Sequence, residues 1–97
     1  MSDSLLGGRV RIDQGEGGLR AGLDAVMLAA AVPAVTGAEV LELGLGTGAA
    51  SLCLCARVPG LSLTGVEIDS AAAALARANA AANGWALDVG TGGILDL

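Results

Sequence analysis

The stretch VLELGLGTGAAS, Val40 to Ser51, decides the fold, because a short apolar run leads there into glycines at every second position. The run Val40 to Leu43 predicts a buried strand, and the alanines that follow predict the start of a helix. Glycine loses more backbone entropy on ordering than any other residue. Glycines so closely spaced indicate that something must approach the main chain at this junction. They are Gly44, Gly46 and Gly48.

Strands and helices alternate along the rest of the chain. Further strands are expected at Leu61 to Ile68 and around Ala86 to Val89, and helices over Leu23 to Val32, Ala49 to Val58 and Ala71 to Asn83. Such alternation is typical of a parallel sheet with right-handed crossovers and helices packed on its faces. The sequence therefore predicts one α/β domain over residues 1–97, with three main strands and flanking helices.

The N-terminal part has its own patterns. Leu5 to Ile12 alternates basic with apolar residues, which predicts a short N-terminal edge strand or hairpin. In the first helix the apolar positions repeat with helical spacing, which predicts that they form its buried stripe. These positions are Leu23, Val26, Met27 and Ala30.

The long alanine-rich helix carries end signals. Ser70 is expected to cap its N-terminus, because a serine hydroxyl accepts from the first free backbone N–H groups. Gly84 is expected to end it in the left-handed conformation, which glycine adopts without strain. The helix is therefore expected between these two residues.

Composition excludes a disordered chain. Hydrophobic residues make up 54% of the 97 residues and the mean hydropathy is +0.69. Trp85 is the only aromatic residue, so the core must come from Leu, Val, Ile and Ala. A chain of this length buries only roughly 60–65% of the surface that its unfolded form exposes, which leaves a thin stability margin.

Charge excludes a nucleic-acid backbone footprint within these residues. The net charge is −5, and the five basic residues are arginines scattered along the chain. A nucleic-acid substrate would therefore dock through regions outside these residues. The start carries no basic segment of a secretory signal, and no apolar stretch reaches the ~20 residues that span a bilayer, so a cytoplasmic location without membrane contact is expected.

The two cysteines are expected to be small buried hydrophobes. Cys53 and Cys55 lie two positions apart in a helical pattern, so their side chains point about 200° apart around the helix. The sequence contains no histidine, and a metal site would lack ligands. No metal is expected.

The glycine-rich turn has the chemistry of an adenosine site. Such a turn is expected to present unpaired backbone N–H groups at the positive end of the following helix. Glu67, nineteen positions beyond Gly48, ends the next strand, and its carboxylate can accept from both hydroxyls of a ribose. Ile68 can lie against an adenine ring. Glu42, an acid inside an apolar strand, needs a donor such as the ammonium group of a cationic ligand.

Two alternatives to this interpretation remain. A nicotinamide dinucleotide domain also combines glycines with a ribose acid, but its fingerprint is G-x-G-x-x-G and the spacing here is G-x-G-x-G. A tight turn without any ligand, in a degenerate interaction module, is the other alternative. The first alternative predicts that the chain binds NAD, and the second predicts that it binds no cofactor.

LELGLGTGAASLCLCARVPGLSLTGVEID, with GGRVRIDQGEGGLRAGLDAVMLAAAVP before it, resembles the Rossmann-like S-adenosylmethionine-dependent methyltransferases. The upstream segment looks like that of the branch that includes the tRNA adenine exocyclic-amine methyltransferases and related small-domain enzymes. The resemblance covers Leu6 to about Leu97. It implies a partial Rossmann-like sheet that binds S-adenosylmethionine, and methyl transfer to an amine nitrogen in the complete enzyme.

The resemblance also implies roles for single residues. The three glycines would line the methionine part of the cofactor, Glu42 would support its amino group and Glu67 would hold the ribose. Asp24 matches an acid that precedes the glycine motif and would border the cofactor. The alternative for Asp24 is a charge that interacts with the helix dipole.

The sequence departs from the family pattern in two places. The branch usually has Gly-Asp after the third strand, where the aspartate accepts from the adenine amino group; here Gly93 stands in that place and Asp96 comes three residues later. The Asn-Pro-Pro-aromatic motif of the fourth strand is absent. The resemblance therefore implies the N-terminal, cofactor-binding half of such an enzyme, a fragment in which no catalytic residue is assigned. Whether the chain is an enzyme on its own stays open.

The first strand of the glycine motif should have an open edge. Family sheets place it in the middle with the fourth strand beside it, so this chain would leave Val40 to Leu43 unpaired on one side. Open apolar edges recruit partners. We expect self-association, a complementing chain or marginal stability.

Overall fold

The computed structural model describes residues 2–15 and 23–93, and Asp96 lies outside them. In chain order the elements are β1 (Ser2–Leu5), β2 (Val10–Asp13), α1 (Leu23–Ala31), β3 (Glu39–Leu43), α2 (Ala49–Arg57), β4 (Ser62–Glu67), α3 (Ser70–Asn83) and β5 (Leu87–Thr91). The α/β class is confirmed, and the expected helices and main strands appear close to their expected bounds.

The three main strands form one parallel sheet in the order β3-β4-β5. Val40 pairs with Leu63, which pairs with Leu87. Each crossover runs through a helix, as parallel neighbours require. Within the described residues β3 has one strand neighbour, so its other side is an open edge as expected.

The two faces of this sheet differ in burial. Val40, Leu63 and Leu87 share the face that packs into the main core cluster with α2 and α3. On the opposite face of β3, Leu41 is 54% and Leu43 is 46% exposed. The expectation of a buried strand at Val40 to Leu43 is therefore wrong, because only one of its faces is covered by the described residues.

The N-terminal segment is a hairpin, the second of the two expected forms. β1 and β2 pair antiparallel from Leu5 with Val10 to Ser2 with Asp13. Val10 and Ile12 are almost fully buried, which explains their alternation with arginines. The hairpin forms a separate two-stranded sheet.

The first helix buries a different face from the expected one. Ala25 and Ala29 are its buried residues, whereas Leu23 is 73% and Met27 is 61% exposed. α1 contacts α2, and Arg57 of α2 donates from Nε to the Ala29 carbonyl at 3.2 Å. Small side chains let the two helices approach, so the alanine face packs inward. Of the expected stripe, only Val26 packs against the core, and it is partly buried.

One end signal of α3 is confirmed and the other is wrong. Asp69, not Ser70, caps the N-terminus: its Oδ1 accepts from Ala71 N at 2.9 Å and from Ala72 N at 3.3 Å. A carboxylate is favoured there because it also faces the positive end of the helix dipole. Gly84 ends the helix in the left-handed conformation, with φ 74°.

Candidate functional site

A cavity of about 580 Å³ lies at the carboxyl edge of the sheet. Its walls come from the end of the hairpin, from α1, from the loop between β3 and α2, and from the start of α3. The lining residues are Gln14, Gly15, Asp24, Ala25, Leu28, Glu42, Leu45, Gly46, Thr47, Ala49, Ala50, Glu67, Asp69, Ala71, Ala72 and Leu75. In open parallel sheets ligands bind outside the carboxyl ends of the strands, which makes this cavity the candidate site.

The glycines of the loop between β3 and α2, here the glycine loop, serve two purposes. All three have positive φ, 70° at Gly44, 61° at Gly46 and 95° at Gly48. A Cβ at Gly44 or Gly46 would point into open space, whereas one at Gly48 would lie 3.6 Å from the Ala76 Cβ. The first two leave bare main chain beside open space, and the third lets α3 pack closely.

The backbone N–H groups of the glycine loop are largely used within the protein. Gly44 N and Leu45 N both donate to the Val66 carbonyl at 3.0 Å, and Gly46 N donates to Glu67 Oε1 at 2.7 Å. The expectation that the turn presents unpaired N–H groups is therefore wrong for Gly44, Leu45 and Gly46. The loop is bound to the end of β4 and does not form an open cradle for phosphate.

Glu67 is held in place by two backbone donors. Its Oε1 accepts from Gly46 N, and its Oε2 accepts from Asp69 N at 3.0 Å. A carboxylate oxygen has two acceptor sites, so each oxygen retains capacity for a further donor. The carboxylate is therefore oriented at the edge of the cavity before any ligand arrives.

Glu42 lies deeper, and its donor is a residue that the sequence did not single out. Ser51 on α2 donates from Oγ to Glu42 Oε1 at 2.5 Å. Burial raises the pKa of Glu42, and the hydrogen bonds from Ser51 partly offset that rise. In the sequence, an acid within an apolar strand was the only sign that a donor lies nearby, because a buried acid requires one.

The cavity brings together some of the expected site residues but not all. Those that line it are Asp24, Glu42, Gly46 and Glu67. Those outside its lining are Gly44, Gly48 and Ile68. Asp24 also lies in the first turn of α1, so the dipole interpretation and the cavity interpretation both fit its position. Ile68 directly follows β4 and is 76% exposed.

Gly65 in β4 is a second residue that the sequence reading missed. The Leu45 side chain of the glycine loop lies over it, and a Cβ at Gly65 would come within 2.6 Å of Leu45 Cδ2. Leu45 is 4% exposed and lines the cavity. A glycine inside a strand signals close approach of another group, and here that group is the loop side chain.

The cavity is acidic. The acids in its lining are Asp24, Glu42, Glu67 and Asp69, and the described lining contains no arginine. Carboxylates around a partly enclosed space produce a negative potential there. Such a site favours a cationic ligand and disfavours a pyrophosphate.

The cysteines lie away from this cavity on α2. Cys53 is buried and Cys55 partly buried, and burial raises the pKa of both thiols. Both therefore stay protonated at neutral pH. Within residues 2–15 and 23–93, no helix has the length and apolar character to cross a bilayer.

Comparison with known families and proteins agrees with this geometry. Residues 20–96 match the family model described as methyltransferase small domain. The chain is 37% identical over 75 residues to the tRNA1(Val) (adenine(37)-N6)-methyltransferase of Aeromonas hydrophila, covering 76% of this chain and 32% of that protein. It is 38% identical over 94 residues to the protein of the same name from Porphyromonas gingivalis, covering 91% of this chain and 37% of that protein. The chain thus spans about a third of the length of these curated relatives.

A solved structure has a similar fold. The crystal structure of the PH0226 protein from Pyrococcus horikoshii OT3 superposes with a TM-score of 0.51 and 27% sequence identity. The match covers 57% of this chain and 24% of that one. The architecture described above is the partial Rossmann-like one that the sequence predicted.

Proposed function

We propose that this chain, which belongs to the methyltransferase small domain family, binds S-adenosylmethionine in the carboxyl-edge cavity. We further propose that residues 1–97 form the cofactor-binding domain of an enzyme that methylates an adenine amino group in tRNA or a similar amine. The names of the relatives support this substrate class. A cytoplasmic location follows from the same proposal.

The acidic lining of the cavity is the observation that carries the proposal. S-adenosylmethionine has a sulfonium and an ammonium, both positively charged, and four carboxylates line the cavity. A nicotinamide dinucleotide would instead bring a pyrophosphate to a loop that already uses N–H groups at Gly44, Leu45 and Gly46 internally. The structure therefore favours the cationic cofactor.

Each predicted residue has a part in this proposal. Glu67 accepts from the ribose hydroxyls with the capacity that its two backbone donors leave free. Glu42 faces the cofactor ammonium, which stabilises the charged form of a carboxylate that burial disfavours. Asp24 borders the cofactor from α1, and Ile68 packs against the adenine.

The glycines meet the methionine part of the cofactor. Gly46 contributes bare main chain to the lining, while Gly44 and Gly48 set the path of the loop with their positive φ. The start of α2 follows at Ala49, and its positive end suits the cofactor carboxylate. Glycine at these positions thus allows the turn and leaves room for the cofactor beside the main chain.

The bound cofactor supplies an electrophilic methyl group on its sulfonium. What the described residues contribute is binding and orientation, which raises the rate by holding the reacting groups together. No catalytic residue is assigned among them. Recognition of the methyl acceptor, including any nucleic acid, belongs to regions outside these residues, because the net charge here is −5.

The open side of the sheet needs a partner under this proposal. β3 has a free edge, and Leu41 and Leu43 are about half exposed on the face beside it. We propose that a further polypeptide segment, either of a longer chain or of a complementing one, covers this side. The relatives, of which the chain spans about a third, have the length to do so. Self-association through the same edge is the competing outcome, and size-exclusion chromatography with light scattering separates the two.

Calorimetric titration with S-adenosylhomocysteine and with NAD tests the binding proposal. We expect heat with the first and none with the second. Glu67→Gln should weaken S-adenosylhomocysteine binding about ten-fold or more, because it removes the charge that strengthens two hydrogen bonds. Glu39→Gln, the same change at an exposed position on the far end of β3, is the matched control. Binding of NAD alone, or of neither ligand, would refute the proposal.

A further inference from the structure

Two asparagines on α3 bind the backbone of the hairpin as a neighbouring strand would. Asn83 accepts from Arg11 N through Oδ1 at 2.8 Å and donates from Nδ2 to Arg11 O at 2.6 Å. Asn79 accepts from Asp13 N through Oδ1 at 2.8 Å and donates from Nδ2 to Asp13 O at 3.0 Å. Each amide thus exchanges a pair of hydrogen bonds with one residue of β2.

The spacing of the two elements explains the match. Residues four apart on a helix rise about 6 Å, and residues two apart on a strand rise about 6.6 Å. Asn79 therefore faces Asp13, and Asn83 faces Arg11, in register. The edge of β2 that β1 does not pair is bound by side chains of α3.

Asn79 makes one contact that Asn83 does not. The second hydrogen of its Nδ2 donates to the Thr47 carbonyl at 2.8 Å, in the glycine loop. Asn79 is 3% exposed, and both of its amide hydrogens and its oxygen have protein partners. One buried amide therefore joins the hairpin end to the glycine loop.

These two attachments lie on two different segments of the chain that line the cavity. Thr47 lines it from the glycine loop, and Gln14 and Gly15 line it directly after Asp13. Asn79 itself is absent from the lining. Asn79 can therefore affect a ligand only indirectly, by holding the glycine loop and the end of the hairpin together.

We propose that Asn79 is a positioning residue that couples the N-terminal hairpin to the glycine loop and thereby sets the affinity of the cavity for its cofactor. The part that concerns affinity rests on the proposed S-adenosylmethionine binding. The coupling between the hairpin and the glycine loop does not depend on that proposal. Loss of the amide leaves the Thr47 carbonyl and both backbone groups of Asp13 without these partners, so the hydrogen-bonded link between loop and hairpin is lost.

The experiment compares Asn79→Ala with Asn83→Ala in the full chain. Amide hydrogen exchange is measured without ligand, and S-adenosylhomocysteine binding is measured by calorimetry where urea titrations show each variant to be folded. Asn83→Ala is the matched control, because it removes the same pair of bonds to β2 and none to the loop. If Asn79→Ala does not fold, Asn79→Ser replaces it, since its shorter hydroxyl cannot bridge Asp13 and Thr47.

Both variants should speed exchange in the hairpin, but only the Asn79 variant should also speed exchange at residues 44–48. Its dissociation constant should rise about three- to ten-fold, the loss expected for one or two hydrogen bonds, while that of Asn83→Ala stays near the parent value. Equal loop exchange in the two variants, or an equal change in affinity, would overturn the proposal. If the parent protein binds no S-adenosylhomocysteine, the proposed function fails, and the exchange comparison alone decides the coupling.

Discussion

The helix-covered face of the parallel sheet and the outer face of its edge strand β3 carry similar residues and have different surroundings. On the helix-covered face, Leu63 is 3% and Val89 is 9% exposed, whereas on the other face Leu41 is 54% and Leu43 is 46% exposed. Leucines on neighbouring positions thus contribute unequally to folding, because apolar area stabilises only when it leaves water. Within the described residues, helices cover one face of the sheet, and the outer face of β3 is left uncovered.

The largest effect is expected on the covered face. Leu52 of α2 is fully buried in the main core cluster. Leu52→Ala should lower the free energy of unfolding by about 2–5 kcal/mol, through lost transfer energy and a cavity. Urea titration followed by Trp85 fluorescence measures it, since Trp85 packs against the same cluster. A loss under about 1 kcal/mol would mean that this face is not the core.

An intermediate effect is expected where the sheet supports the glycine loop. Gly65→Ala would bring a Cβ within 2.6 Å of the Leu45 side chain, so Leu45 must move and the loop with it. Overpacking of this kind costs about 1–3 kcal/mol. Because Leu45 lines the cavity, S-adenosylhomocysteine affinity should fall as well. Unchanged stability together with unchanged affinity would show that the loop does not depend on this contact.

A smaller effect is expected on the open face. Leu41→Ala, the partner experiment to Leu52→Ala, should cost under about 1 kcal/mol in the 97-residue chain, since half of the side chain is already in water. Thermal or urea unfolding measures it. If a further polypeptide covers this face, the cost should rise several-fold in the complex or longer protein. An equal cost in both forms would contradict the proposed cover.

The smallest effect concerns Glu42, the acid on the covered face. Burial raises its pKa in the folded state, so the folded protein holds a proton more tightly than the unfolded chain. Its contribution to stability is therefore full below the unfolded-state pKa and is lost as pH rises through the folded-state pKa.

Glu42→Gln removes the loss of stability that ionisation of Glu42 causes as pH rises. Its unfolding free energy relative to the parent should increase as pH rises from acid towards neutral, and then level off. Urea titrations of the parent and the variant across that range measure the difference. S-adenosylhomocysteine should bind the Glu42 variant more weakly if the carboxylate faces the cofactor ammonium. A difference that does not change with pH would show that Glu42 is not buried as described.

Local signals predicted the parallel sheet but not how its helices pack. The glycine motif and the alternation of elements predicted β3, α2, β4 and α3, because these follow from patterns within short windows. The stripe of α1 was wrong except at Val26, because LDAVMLAAA has a single polar residue, Asp24, and so lacks a polar face that would orient the helix. Ser70 failed as a cap because Asp69 beside it has the same ability, and local sequence does not rank the two.

The candidate site was predictable in its acids and not in its connections. Glu67 and Glu42 stood out as carboxylates in or after apolar strands. The hydrogen bond from Gly46 N to Glu67 spans 21 residues, and those from α3 to the hairpin span 66 and 72. Contacts at such separations arise from tertiary packing. A pattern within one element carries no signal for them.

The most direct test is a crystal structure of the protein with S-adenosylhomocysteine. We expect the ligand in the carboxyl-edge cavity, both ribose hydroxyls within hydrogen-bond distance of the Glu67 carboxylate, and the bond from Gly46 N to Glu67 retained. A ligand bound elsewhere, or a Glu67 side chain turned away from the ribose, would contradict the account.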